Sequence, residues 1–247
     1  MSSSDKVTFN KNNIDLYLKE LAKEYRKLGG KKLPAEVILV GGASVLINYG
    51  FRDMTTDIDA IIQSASTMKE AINHVGDKYN LPNGWLNEDF KQTSSFSQKL
   101  LEHSEYYKTF YGVMTVRTVA GEYLVAMKLK AGRQYKNDFS DILGILATHK
   151  KEGNPLTLEG VKVAVEELYD KWDDLSDVAK HFIEMAMEDG EYEKMLDEVR
   201  ADERGTKDIL LDFEEKHPGK VNMGNADEII AQLRRNDDSS DPTLPLS

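Results

Sequence analysis

Apolar residues recur at helical spacing between Ile14 and Leu28, through Leu16, Tyr17, Leu18, Leu21 and Tyr25, and predict a helix over 13–28 that Gly29-Gly30 stops. The next run, Glu36-Val37-Ile38-Leu39-Val40, is continuous rather than periodic. It enters through Pro34 and ends at Gly41-Gly42, which predicts a buried strand. A short helix over 43–49 follows. Residues 56–62 alternate and are β-branched enough for a second strand. A helix is expected over 67–79. The stretch 81–96, with Pro82, Gly84 and several Ser and Thr, reads as loop with brief structure. Residues 113–119 read as a third strand.

Beyond Gly121 every pattern is helical: 123–133, 138–149, then 157–172, 176–188, 191–200, 207–216 and 226–235. Gly153-Asn154-Pro155 is the strongest candidate boundary. The layout is α+β, with a minimal core around a short mixed β-sheet over 1–150, an all-helical part over 151–236 and a flexible tail over 237–247.

The 247 residues include no cysteine, which excludes disulfides, thiolate zinc sites and a cysteine nucleophile. The five histidines are too scattered for a zinc site. No run of about 18 apolar residues exists, and the N-terminal MSSSDKVTFNKNN lacks the apolar centre of a signal peptide, so a soluble cytoplasmic protein without a membrane partner is expected. Charge is uneven. Residues 1–150 carry 20 Lys+Arg against 17 Asp+Glu, and the remainder 12 against 26, a net of −14 in a chain of net −11. Phosphate handling therefore belongs to the first part, and the acidic part suits solvent or a basic partner.

The chemistry concentrates between Val37 and Ile62. Residues two apart in a strand share a face, so Asp57 and Asp59 present two carboxylates together with Ile58 turned inward. Such a pair repels unless a cation lies between, and a hard divalent ion such as Mg²⁺, or Mn²⁺, answers that need while leaving room for substrate phosphates. Upstream, Gly41-Gly42 between a strand and a helix lets bare backbone approach a phosphate, and Ser44 adds a hydroxyl. Each feature alone has a plain alternative: a double glycine is commonly a turn, and Asp-X-Asp commonly decorates a solvent face. Their combination is the more specific signal.

Gly41-Gly42-Ala43-Ser44 followed by Thr56-Asp57-Ile58-Asp59 resembles the signature of the DNA polymerase beta-like nucleotidyltransferase superfamily. The segment from Tyr49 to Asp59, with Arg52 and Thr55-Thr56 before the aspartates, is similar to its bacterial toxin-like branch, which includes the abortive-infection type IV toxins. A second match, Lys128 to Ile142, resembles that branch's lysine, arginine and Asp-X-X-Asp motif, here Lys128, Arg133, Asp138 and Asp141. The matches span Val37 to about Leu146. The resemblance implies an NTP substrate, Mg²⁺ on Asp57 and Asp59, a nucleotide cradle of Gly41, Gly42, Ser44, Arg52 and Arg133, and a catalytic role for Lys128.

Read from the residues themselves, Lys128 and Arg133 could neutralise a triphosphate. Lys128 is expected toward the open edge of the site, with Lys130 and Lys136 on the solvent face. Asp138 could cap a helix as readily as support the site, and Asp141 shares that ambiguity. One departure stands out: superfamily members place a third carboxylate on a later strand, whereas 113–119 carries Arg117 and no acid. Two functions follow. The first is a metal-dependent transfer of a nucleoside monophosphate to an acceptor hydroxyl on tRNA, protein or a small molecule, in a toxin with a possible cognate antitoxin or in phage defence. The second is a catalytically weak nucleotide-binding or interaction module. A tRNA acceptor would meet the first part, near Lys128, Lys130, Arg133 and Lys136.

Overall fold

The most apolar run in the chain lies at the centre of the sheet. In the computed structural model, which describes residues 7–222 and 224–238, β1 (Ala35–Leu39) is flanked by β2 (Ile58–Gln63) on one side and β5 (Met114–Val119) on the other. β3 (Leu86–Asn87) and β4 (Ser104–Phe110) complete a five-stranded sheet of order β3-β2-β1-β5-β4. β1 runs antiparallel to β2, pairing Leu39 with Ala60, and parallel to β5, pairing Leu39 with Thr118. β3 joins β2 in parallel and β4 joins β5 antiparallel. The sheet is mixed, as expected, but has two strands more than the pattern predicted. β4 reads SEYYKTF, and its exposed Glu105, Tyr106, Lys108 and Thr109 leave no apolar face to signal an edge strand.

A continuous apolar run marks a strand covered on both faces, and β1 is one. Val37 and Leu39 pack with α1 (Lys11–Tyr25) and α3 (Thr67–Tyr79), through Leu18, Leu21, Ala71 and Val75. Ile38 faces the other way, into a cluster with α4 (Gly121–Ala131), α5 (Asp138–Lys151), α6 (Leu158–Tyr169) and α7 (Asp177–Asp189). That cluster crosses Gly153 without a break: Leu124 and Leu146 before it lie with Val161, Val165 and Ile183 after it.

Where two helices were expected over 191–216, one 25-residue helix, α8 (Tyr192–Lys216), runs through an exposed Gly205. Its buried Glu203, Thr206 and Leu210 form a stripe at spacings of three and four that holds the helix against the rest of the chain across the glycine. α9 (Ala226–Asp238) follows, and the tail expected over 237–247 lies, beyond Asp238, outside the described residues. Among the described residues no helix is long and apolar enough to cross a membrane.

Candidate functional site

The end of β1 turns directly into α2 (Gly41–Asn48), and that turn needs glycine at 41 for its backbone conformation and at 42 for what packs against it. Gly41 has φ +53°, the left-handed region that favours glycine, and a Cβ there would lie 3.9 Å from Asp59 Oδ2. A Cβ on Gly42 would come within 2.9 Å of Arg52 Nη2 and 3.0 Å of Thr55 Oγ1. The Val40 N–H donates to the Asp59 carbonyl at 3.0 Å, which pins the second strand beside the turn. No side chain caps the start of α2.

β2 begins at Ile58, which is buried, while Asp57 is exposed and Asp59 half-buried. The Asp59 carboxyl is pushed up to about 6 by burial and by the Asp57 charge, with Arg133 and Lys136 opposing and Asp89 adding to the rise. Asp89 arrives from the far side of β2. Asn87 pairs with Asp59 across the β2–β3 ladder, and its Oδ1 accepts the Asp89 N–H at 2.8 Å. This third acid near Asp59 was not foreseen, because it belongs to the 81–96 stretch that reads as loop. Among the described residues no group of three or more His, Asp or Glu side chains is placed to hold a metal ion. Asp57 and Asp59 alone are a hard-oxygen pair whose mutual repulsion a divalent ion would relieve.

Behind this pair lies a second, closed cluster. Lys128 is 5% exposed, and its Nζ bonds Asp138 Oδ1 at 2.9 Å and Asp141 Oδ2 at 2.8 Å. Arg133 contacts Asp138 through Nε at 2.8 Å and Nη2 at 3.1 Å, and its own N–H donates to the same carboxylate. Arg52 bonds Asp141 through Nη1 and the Met54 carbonyl through Nε. Burial raises the Asp138 carboxyl, but Lys128 and Arg133 outweigh it and hold the group far below the usual range. Lys128 is thus interior rather than at the open edge expected for it. The turn at 132–137 folds the first residues of α5 back over α4, and two acids at a helix N-terminus draw the ammonium inward. Asn137, not Asp138, occupies the N-cap position of α5, and no side chain of its own element caps that helix.

Ser44 is placed away from the cradle. It is fully buried, and its Oγ accepts the Val119 N–H at 3.0 Å, locking α2 to β5. Arg117, on the strand where an acid was sought, bonds Ser104 and lies 3.7 Å from Glu36. Lys130 bonds the Asp174 carbonyl at 3.1 Å, and of the four basic residues expected to meet a tRNA acceptor only Lys136 is exposed. The structure therefore brings together Gly41, Gly42, Arg52, Asp57, Asp59 and Arg133, places Lys128, Asp138 and Asp141 beneath them, and leaves Ser44 out.

Sequence reasoning missed Arg200 and Glu203. Glu203 is 5% exposed on α8 and accepts the Phe139 and Ser140 N–H groups at 3.0 and 3.1 Å, supplying the cap that α5 lacks. Burial, with the Asp141 and Asp138 charges, raises its carboxyl to about 7 against the pull of hydrogen bonding to Ser140. No signal marks it, since one acid in a helix full of acids has no distinguishing period.

Residues 17–148, just over half of the chain, match a family model described as a nucleotidyltransferase of unknown function (DUF6036). No curated protein and no solved structure matches the chain.

Proposed function

The chain belongs to this nucleotidyltransferase family, and on that premise we propose that it transfers a nucleoside monophosphate from an NTP to an acceptor hydroxyl at the cleft between the Gly41-Gly42 turn and the Asp57/Asp59 pair. The observation that carries the reading is the meeting of Asp59 with Gly41. A carboxylate carrying a raised pKa lies within van der Waals reach of a glycine turn that opens a helix. In the transfer, the acceptor oxygen forms a bond to the α-phosphorus as the bond to the bridging oxygen breaks. Pyrophosphate leaves, and the hydroxyl proton passes to a carboxylate or to water. The left-handed backbone at Gly41 turns the chain from β1 into α2, the missing Cβ at Gly42 lets Arg52 pack onto the turn, and the uncapped N–H groups of α2 favour the negative charge of the phosphates. Asp57 and Asp59 would hold Mg²⁺, or Mn²⁺, which when bound supplies Lewis-acid polarisation of the reacting phosphate. Arg133 and Lys136 are cations whose charge acts on Asp59, and they add positive charge beside the triphosphate. Lys128 acts one layer back, by holding the acids that hold Arg133 and Arg52.

The acceptor is a hydroxyl on tRNA, protein or a small molecule, in the setting of a toxin with a cognate antitoxin; the branch resemblance supports this. The test is to incubate the protein with each α-labelled NTP, Mg²⁺ and a cell extract. Wild type is expected to transfer label to one class of acceptor and to slow growth when overproduced, and Asp57→Ala/Asp59→Ala to do neither. Absence of both binding and transfer for every NTP would remove the reading.

A further inference from the structure

Three residues on one stripe of α8 reach three separate segments around the site, the last of them through Arg234. Arg200 and Glu203 are three apart and share a face, continued by Thr206 and Leu210. Arg200 Nη2 donates to the Phe51 carbonyl at 2.9 Å, one residue before Arg52. Glu203 caps the first turn of α5, the turn that carries Asp138 and Asp141. Thr206 accepts from Arg234 Nη2, and the same guanidinium donates through Nη1 to Gln134 Oε1 at 3.2 Å, next to Arg133. Arg52 and Asp141 bond each other, so α8 grips both sides of that ion pair. Arg52 in turn is the group packed on Gly42, and the Phe51 ring lies so close to Gly144 of α5 that a Cβ there would fall 2.4 Å from Cε2. None of these α8 residues lies within the segment that matches the family model.

We propose that Glu203 is a positioning residue for the nucleotide cradle, and that α8 sets the Gly41-Gly42 turn through the relay from Glu203 to the α5 N-terminus, Asp141, Arg52 and Gly42. The relay has a simple physical basis. A buried helix start leaves N–H groups without intrahelical partners, and the residue supplying the acceptor fixes where that start lies. Asp138 and Asp141 are carried on the same turn, so a shift there moves Arg52 and Arg133 together. The acidic helical part is then a structural half of the site rather than an appendage to it. A glutamine at this position keeps an oxygen for both N–H groups, whereas an alanine leaves two buried donors unsatisfied.

This rests on the nucleotide-site reading above, and the test separates the two. Backbone hydrogen exchange without ligand, and binding of α,β-methylene NTPs with Mg²⁺, are measured for wild type, Glu203→Ala, Glu203→Gln and Arg200→Ala. Glu203→Ala is expected to speed exchange at 139–141 and also at 41–45 and 49–56, and to weaken nucleotide binding roughly tenfold, about 1.4 kcal/mol. Glu203→Gln is expected to restore both. Arg200→Ala, a milder change on a half-buried side chain, is expected to speed exchange at 49–56 and to keep the folded state available if Glu203→Ala fails to fold. Faster exchange confined to 139–141 in Glu203→Ala, or unchanged exchange at 41–56 in both alanine variants, would overturn the relay. Loss of nucleotide binding in wild type would instead remove the site reading and leave the exchange result to decide the relay.

Discussion

Two pairs of aspartates flank Arg133, and their electrostatics are opposite. Asp138 and Asp141 are buried and meet three cations, Lys128, Arg133 and Arg52, so the Asp138 carboxyl is held far below its ordinary range. Asp57 and Asp59 lie nearer solvent, with no ion pair to a cation among the described residues, and Asp59 is pushed up to about 6. One pair is closed and completed from within the chain. The other stands open, with Asp57 exposed and Asp59 half-buried. Composition cannot separate them, since both are aspartates two or three residues apart next to basic neighbours. What separates them is whether a helix start and an inward lysine are folded onto the pair.

The sharpest way to break the closed pair is to remove its central cation. Lys128→Ala leaves two buried carboxylates sharing only Arg52 and Arg133, and is expected to destabilise the fold by about 3 kcal/mol in urea unfolding. Stability equal to wild type would show that the pair does not depend on this lysine.

In the open pair, Asp59 carries the pH dependence opposite to that of Asp138. Because the folded Asp59 binds its proton more tightly than the unfolded chain does, its ionisation weighs against the fold. That cost is absent below about pH 4, grows as pH rises toward 6 and is complete above it. Asp59→Asn is therefore expected to gain about 1–2 kcal/mol at pH 8, discounted for its partial exposure, and nothing at pH 4. Asp138, with its lowered value, supplies stability that is kept above the ordinary aspartate range and lost as pH falls below it. Thermal melts at pH 4 and pH 8 with and without Mg²⁺ read the difference, and Mg²⁺ is expected to cancel the Asp59→Asn advantage at pH 8. The smallest effect belongs to Lys136→Ala. An exposed cation near Asp59 changes stability by less than about 0.5 kcal/mol, while NMR titration of Asp59 is expected to move its pKa upward.

Much of this was legible in the chain. Gly41-Gly42, Asp57 and Asp59 announce themselves because a strand, a glycine turn, a short helix and a second strand follow one another with no long-range information needed. Lys128, Arg133, Asp138 and Asp141 were legible as a group but not as a direction, because residue spacing does not say which face of α4 the next helix closes over. β4 was hidden because an edge strand exposed on both faces has no alternation. Glu203 was hidden because a cap borrowed from 63 or 64 residues away leaves no mark near the helix it caps. The helix break expected before Lys207 failed for the same reason, since only packing from elsewhere carries a helix through Gly205.

The unbroken apolar cluster across Gly153 has a consequence for how the chain can be divided. A fragment ending near Pro155 would keep every residue of the open pair yet present Leu124, Leu146 and their neighbours to water, stripped of Val161, Val165 and Ile183. Such a fragment would be sticky before it was inactive, and its missing half would be a solubilising partner as well as a scaffold. By contrast, a single nick in the exposed 151–155 link would leave two pieces that still share one interior and stay associated through it. Covalent continuity at that link is dispensable in a way that the chain beyond it is not.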